Sequence, residues 1–318
     1  RRGHYMRVHF WGTRGSLPAS LKASQVRAKV IGALRAAQGK VFGDEHALAA
    51  FVDRELPFSI RGSYGGNSSC IEIRGGEDYV ICDAGTGLRD FGNSLPGARG
   101  VFHIFLSHLH WDHIQGFPFF TPAYIPGNRI KIYGFHPGLE AAFATQQSPP
   151  FFPIPLPAMR AEISFHPLRV DEIYEFAGFQ VRGARQHHPG DSYGYRFTKN
   201  GRSVVYSTDS EHKKEAECSN YAYLDFIRDT DLLIFDAQYT LLDAIGDKED
   251  WGHSSNVIGV EMAVEAQVKR LCLFHHEHTY DDETFDELLA DTRTYLKILS
   301  ETSALEIYLA YDGLEIGI

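Results

Sequence analysis

The 318 residues, 43% hydrophobic and 23% charged, have the composition of an ordinary globular protein with enough apolar side chains for a sizeable core. No run approaches the ~18 apolar residues of a bilayer span, and the opening RRGHYMRVHF lacks the apolar stretch of a signal peptide, so a cytoplasmic protein starting naturally at Met6 is expected. The formal charge of -10 argues against extended nucleic acid as a partner, because gripping a long polyanion takes a basic surface that replaces its condensed counterions.

In chain order, short β-rich runs alternate with helical patterns. MRVHFWGT, CIEIRG, DYVICDAG, VFHIFLS, RIKIYGF, EISFHPL, FQVRGARQHH, SYGYRF, SVVYSTD, DLLIFDAQ, RLCLFHH and EIYLAYDGLEIGI read as strands. Helices are expected at about 21–37, 45–56, 137–147, 254–267 and 282–299, with Ser254 or Ser255 capping the fourth. Asn200-Gly201 signals a hairpin between SYGYRFTK and RSVVYSTD.

Residues 20–58 read as a helical insertion in a single domain over 6–318, a lid or a homodimer surface. The Pro- and Phe-rich stretch 146–159 is too Pro-dense for regular structure and too apolar for a solvated linker, and reads as a packed loop on the rim of a site. Cys70, Cys82, Cys218 and Cys272 form no CxxC pair and are expected to be free thiols, largely buried.

After VFHIFLS the chain delivers His108, His110, Asp112 and His113 within six residues. Period-2 alternation at a strand end can turn His108 and His110 to one side, while Asp112 and His113 on the following turn face a second ion. Ser107 and Gly116 bracket the group as a tight strand-to-helix junction.

HLHWDH is similar to the H-x-H-x-D-H motif of the metallo-β-lactamase superfamily, and later motifs follow in that family's order to the C-terminus. The resemblance implies an α/β fold, an αββα four-layer sandwich of two mixed sheets flanked by helices. It also implies two divalent metal ions, zinc first, with manganese or iron compatible with the same donors. ICDAGTG resembles the segment whose aspartate, here Asp83, supports the metal-binding histidines from behind. QHHPGDSYGYRF matches the single-histidine motif at His188, with His187 the less favoured neighbour, and YSTDS supplies Asp209 as a carboxylate bridging both ions. LFHHEHTYDDE supplies the last ligand, His275 in preference to His276. His103, His136, His166 and His278 carry no motif and read as structural, surface or supporting residues.

WGHSSNVIGVEMAVEAQVKRLCLFHH resembles the ribonuclease Z-like and phosphodiesterase branch, in which a Gly-His-Ser-Ser/Thr element precedes a helix, and it makes His253 the candidate acid beside Asp112. DAQYT at 236–240 is typical of small members of that branch. The glutamate of the oxygen-reducing di-iron branch is replaced by His110, and no Gly- and Lys/Arg-rich RNA-holding arm stands out.

The implied activity is hydrolysis of a small phosphodiester, such as a cyclic nucleotide, by a water that two ions ~3.5–4 Å apart acidify towards pKa ~7. Alternatives are a ribonuclease Z-like RNA endonuclease, a hydrolase of esters, thioesters or lactones, and a non-catalytic metal-binding accessory protein that uses 20–58 as its interaction surface.

Overall fold

A computed structural model of the chain describes residues 6–76, 78–212, 222–240 and 251–318. Strands β1 (Arg7–Gly12), β2 (Cys70–Arg74), β3 (Tyr79–Cys82), β4 (Val101–Phe105), β5 (Arg129–Gly134) and β6 (Glu162–Pro167) form one sheet. A second contains β7 (Ile173–Phe176), β8 (Phe179–Gln186), β9 (Ser192–Lys199), β10 (Arg202–Ser207), β11 (Leu232–Asp236), β12 (Arg270–Phe274) and β13 (Glu306–Leu309). The seventh strand of the first sheet, β14 (Glu315–Gly317), returns to pair with β1. In each sheet an antiparallel part gives way to a parallel part, from β3 onwards in the first and from β10 onwards in the second.

The helices are α1 (Ala23–Ala36), α2 (Glu45–Glu55), α3 (Phe58–Arg61), α4 (Gly87–Asn93), α5 (Trp111–Ile114), α6 (Leu139–Gln146), α7 (Ala222–Ile227), α8 (Asn256–Glu265) and α9 (Asp282–Leu299). Strand alternation sorts side chains between layers. In β4, Phe102 and Ile104 join the outer cluster with Leu88, Phe91 and Phe143 of α4 and α6. Phe105 turns inward, edge-on to Tyr195 and Phe197 of the facing sheet. Val204 and Tyr206 of β10 likewise point inward, while Val205 packs outward with residues of α7, α8 and α9. The layers are thus helix, sheet, sheet, helix, the expected αββα sandwich.

The five expected helices form with ends one or two residues inside the expected bounds or identical to them. Ser255 caps α8, its Oγ accepting from the Ile258 N–H. Asn200 and Gly201 both have positive φ, 51° and 73°, as a two-residue type I′ turn between β9 and β10 requires. Cys70, Cys82 and Cys272 are buried and free; Cys218 lies outside the described residues.

Two expectations change. EIYLAYDGLEIGI, read as one strand, is β13 in the second sheet, a turn, and β14 in the first, because Asp312-Gly313 breaks the run and Gly313 takes φ 96°. The stretch 146–159 is less packed than expected: Phe151 and Ile154 are exposed, although Phe152 meets Phe119 and Gln146 donates to the Ile114 carbonyl. Its prolines have no N–H to donate to a helix or ladder, which keeps the stretch out of regular structure. Residues 20–58 hold α1 and α2, and α1 has no buried residue. Lys29 anchors α1 to the start of α9 through Asp282 at 2.6 Å. No helix among the described residues is long and apolar enough to cross a membrane.

Candidate metal centre

The seven residues expected to hold metal come together where strands of both sheets end. His108 follows β4, Asp112 and His113 ride on the single turn α5, and His110 immediately precedes it. His188 follows β8, Asp209 follows β10, and His275 follows β12 directly. Asp83, Asp209 and His275 adopt left-handed backbone, with φ 61°, 51° and 61°. Non-glycine residues rarely take this conformation, and the sharp turn it makes aims each side chain back across the strand ends.

The donor atoms fall into two groups. His108, His110 and His188 gather on one side, Asp112, His113 and His275 on the other. Asp209 spans them: its Oδ2 lies 3.6 Å and 3.7 Å from His108 and His188 Nε2, and its Oδ1 lies 3.2 Å and 3.3 Å from His113 and His275 Nε2. His187 is exposed, and His276 turns away to donate to the Ala310 carbonyl at 2.7 Å, so the two neighbouring alternatives stay outside the cluster.

Partners behind four of the five rings fix which nitrogen faces inward. Asp83 Oδ2 accepts from His113 Nδ1 at 2.7 Å and from the Tyr206 hydroxyl at 2.7 Å. The Ser107 N–H and Oγ–H also donate to Asp83, and Ser107 Oγ in turn accepts from His108 Nδ1 at 3.0 Å. His188 Nδ1 donates to the Gly252 carbonyl at 2.9 Å, and His275 Nδ1 donates to Gln238 Oε1 at 3.0 Å. Gly252 is a required glycine: its φ is 85°, and a Cβ there would meet His188 Nδ1 at 2.3 Å. Asp112 Oδ2 accepts the Ser16 N–H at 2.9 Å.

With the outer nitrogens protonated, lone pairs converge. His113 and His275 present Nε2 to each other at 3.3 Å, between two carboxylates. His188 Nε2 faces His110 Nδ1 at 3.2 Å, and the buried His108 Nε2 has no hydrogen-bond partner. Opposed lone pairs and carboxylates repel unless a cation lies among them. Burial and the neighbouring rings push His108 well below its ordinary value, and burial first of all lowers His110 and His188, leaving neutral imidazoles suited to ligation. Burial would also depress His113, yet Asp112, Asp209 and Asp83 hold it well above normal, a local demand for positive charge that a metal would satisfy. Against the upward push of burial, the surrounding histidines hold Asp112 and Asp209 well below the usual carboxylate range. Mixed imidazole and carboxylate donors in this arrangement fit divalent metal ions.

His253 stands at the edge of the cluster. Its Nδ1 donates to Asp236 Oδ2 at 2.8 Å, and its ring stacks on His275 with centroids 5.0 Å apart. A ring nitrogen of His253 lies within 4.8 Å of the donor atoms of His188 and Asp209. Burial lowers its affinity for a proton, but Asp236, Asp209 and Asp112 outweigh burial and raise its pKa.

Six contributors carry no role in the sequence reading: Ser16, Ser107, Tyr206, Asp236, Gln238 and Gly252. Asp236 and Gln238 lie in DAQYT, which carries a family resemblance, and Ser107 marks the strand-to-helix junction.

Residues 78–276, well over half of the chain, match the profile of the Beta-lactamase superfamily domain. A ribonuclease Z from Oceanobacillus iheyensis is 23% identical over 268 residues, covering 67% of this chain and 82% of that protein. The metallo-beta-lactamase fold protein YhfI from Bacillus subtilis superposes with a TM-score of 0.66 at 18% identity over 98% of this chain and 99% of that one. A diphosphatase from the PhnP family superposes at 0.61, also 18% identical, over 98% of each chain. At such identities the structural likenesses bear on the fold. The profile match runs through Asp83, every residue of the cluster, His253 and His275, and the chain belongs to the beta-lactamase superfamily as one of its metal-dependent hydrolases.

Proposed function

We propose that the chain is a phosphodiesterase for small phosphodiesters, with His108, His110 and His188 holding one divalent ion, Asp112, His113 and His275 a second, and Asp209 both. The observation that carries this reading is His253, buried beside both donor groups and backed by Asp236. Divalent ions at such a site, when bound, acidify water and offset charge on phosphoryl oxygens. Asp112, oriented by the Ser16 N–H, positions the attacking water. As the water oxygen bonds to phosphorus and the ester P–O bond breaks, the water's proton passes to solvent and His253 gives a proton to the departing alkoxide, yielding a phosphomonoester and an alcohol. Asp236 keeps the Nδ1 proton in place, so the proton transferred comes from Nε2.

Metal-loaded protein is expected to cleave bis(p-nitrophenyl) phosphate or a cyclic nucleotide. His253→Ala is expected to lose ~10²–10⁴-fold in turnover while elemental analysis shows its metal retained. Full activity in that variant removes His253 from the mechanism.

A second reading is an RNA endonuclease, supported by the relative named ribonuclease Z. Cleavage of precursor RNA with steeply salt-dependent binding would favour it; the charge of -10 speaks for the smaller substrate.

A further inference from the structure

Of the three tryptophans in the chain, Trp11 behaves as a core residue: its Nε1 donates to Glu72, and its ring meets Phe91 with centroids 5.6 Å apart. The other two do not. Trp111 is 75% exposed and Trp251 58% exposed, and among the described residues neither indole makes a ring contact or a side-chain hydrogen bond. Both adjoin residues of the site in sequence. Trp111 sits between His110 and Asp112, which belong to opposite donor groups, and Trp251 precedes Gly252 and His253, of which the first holds His188 and the second is the proposed acid. Leu17, 56% exposed, follows Ser16, whose N–H holds Asp112. Scattered exposed apolar residues need no explanation, but three large ones each next to a residue that builds the same site mark a binding rim.

Among the described residues, the ion pairs of the cluster join carboxylates to histidines. A rim for a polyanion would carry lysine or arginine at these positions; here it carries indoles, whose faces suit flat aromatic rings. We infer that Trp111 and Trp251 form a stacking rim for a nucleobase, so that the substrate is a nucleobase-bearing phosphodiester rather than an alkyl or glyceryl one. This rests on the phosphodiesterase reading for the reaction, but the stacking itself can be measured without turnover.

Zinc-loaded protein is titrated with AMP and with ribose 5-phosphate, which shares the sugar phosphate and lacks the base. Tryptophan fluorescence is expected to be quenched by AMP, and calorimetry to give AMP about tenfold tighter binding, the size of one base–aromatic stack. In Trp111→Leu and Trp251→Leu the preference is expected to fall towards unity with zinc content unchanged. In parallel, thymidine 5′-p-nitrophenyl phosphate is compared with methyl p-nitrophenyl phosphate, and a higher kcat/KM is expected for the thymidine ester. Equal binding of the two monophosphates, unaltered by either substitution, overturns the stacking rim even if both esters are hydrolysed. Tryptophan-dependent preference for AMP with no turnover of any phosphodiester leaves the rim standing and removes the proposed reaction.

Discussion

Asp83 shows how much one buried side chain organises. Its two oxygens accept from the Ser107 N–H and hydroxyl, the His113 ring and the Tyr206 hydroxyl, so it orients one candidate ligand directly and His108 through Ser107. Asp83→Ala leaves those donors buried without an acceptor and lets His113 turn. Metal affinity, measured by competition with a chelator, is expected to drop ~10–100-fold, and an unchanged affinity would show that the rings hold their geometry without it. Asp83 was legible because it opens a Gly-rich turn within a recognisable motif. Gln238, which does the same for His275, was not: its partner lies 37 residues away, and nothing local to an amide in a loop announces which ring it will meet.

The elements were legible where the pattern was long. Helix α9 was read to the residue, because an acidic start and a sustained apolar stripe mark it. Strand β7 was missed because its four residues, Ile173–Phe176, lie at a sheet edge with alternately exposed side chains and no apolar run. Lone turns such as α5 have no periodicity to detect. Among the additions, α1 is attached by little apolar packing, so Lys29, which reaches Asp282 and the Ser59 and Gly62 carbonyls, carries much of its docking. Lys29→Met is expected to destabilise the protein by about 2 kcal/mol, between the value of an exposed pair and that of a buried one. Thermal unfolding should show a lowered Tm with metal content intact, and an unchanged Tm would mean that α1 docks without the pair.

At the scale of the whole molecule, burial sets the response to acid. His212 and His276 are buried in neutral form, each pushed down to about 3 by desolvation first of all. In the unfolded chain both take a proton near pH 6.5. Between the two values the unfolded state binds more protons, so the stability present above about pH 6.5 is lost as pH falls towards about 3. Denaturation of chelator-treated protein is expected to show a lower midpoint at pH 5 than at pH 7, and His276→Gln should flatten part of that slope. The sandwich itself was legible from alternating strands and the family's motif order. The crossing of the C-terminal run from one sheet to the other was not, since it depends on where β1 leaves an open edge. That crossing has a consequence in time. Phe10 of β1 bonds to Leu314, Met6 just before β1 bonds to Ile318, and β14 covers the outer edge of β1. A chain growing on the ribosome therefore makes β1 more than 300 residues before its edge partner. Until then the first sheet presents an unpaired edge that another chain could occupy, so the hazard of misassembly is concentrated in nascent chains that have not yet reached Glu315.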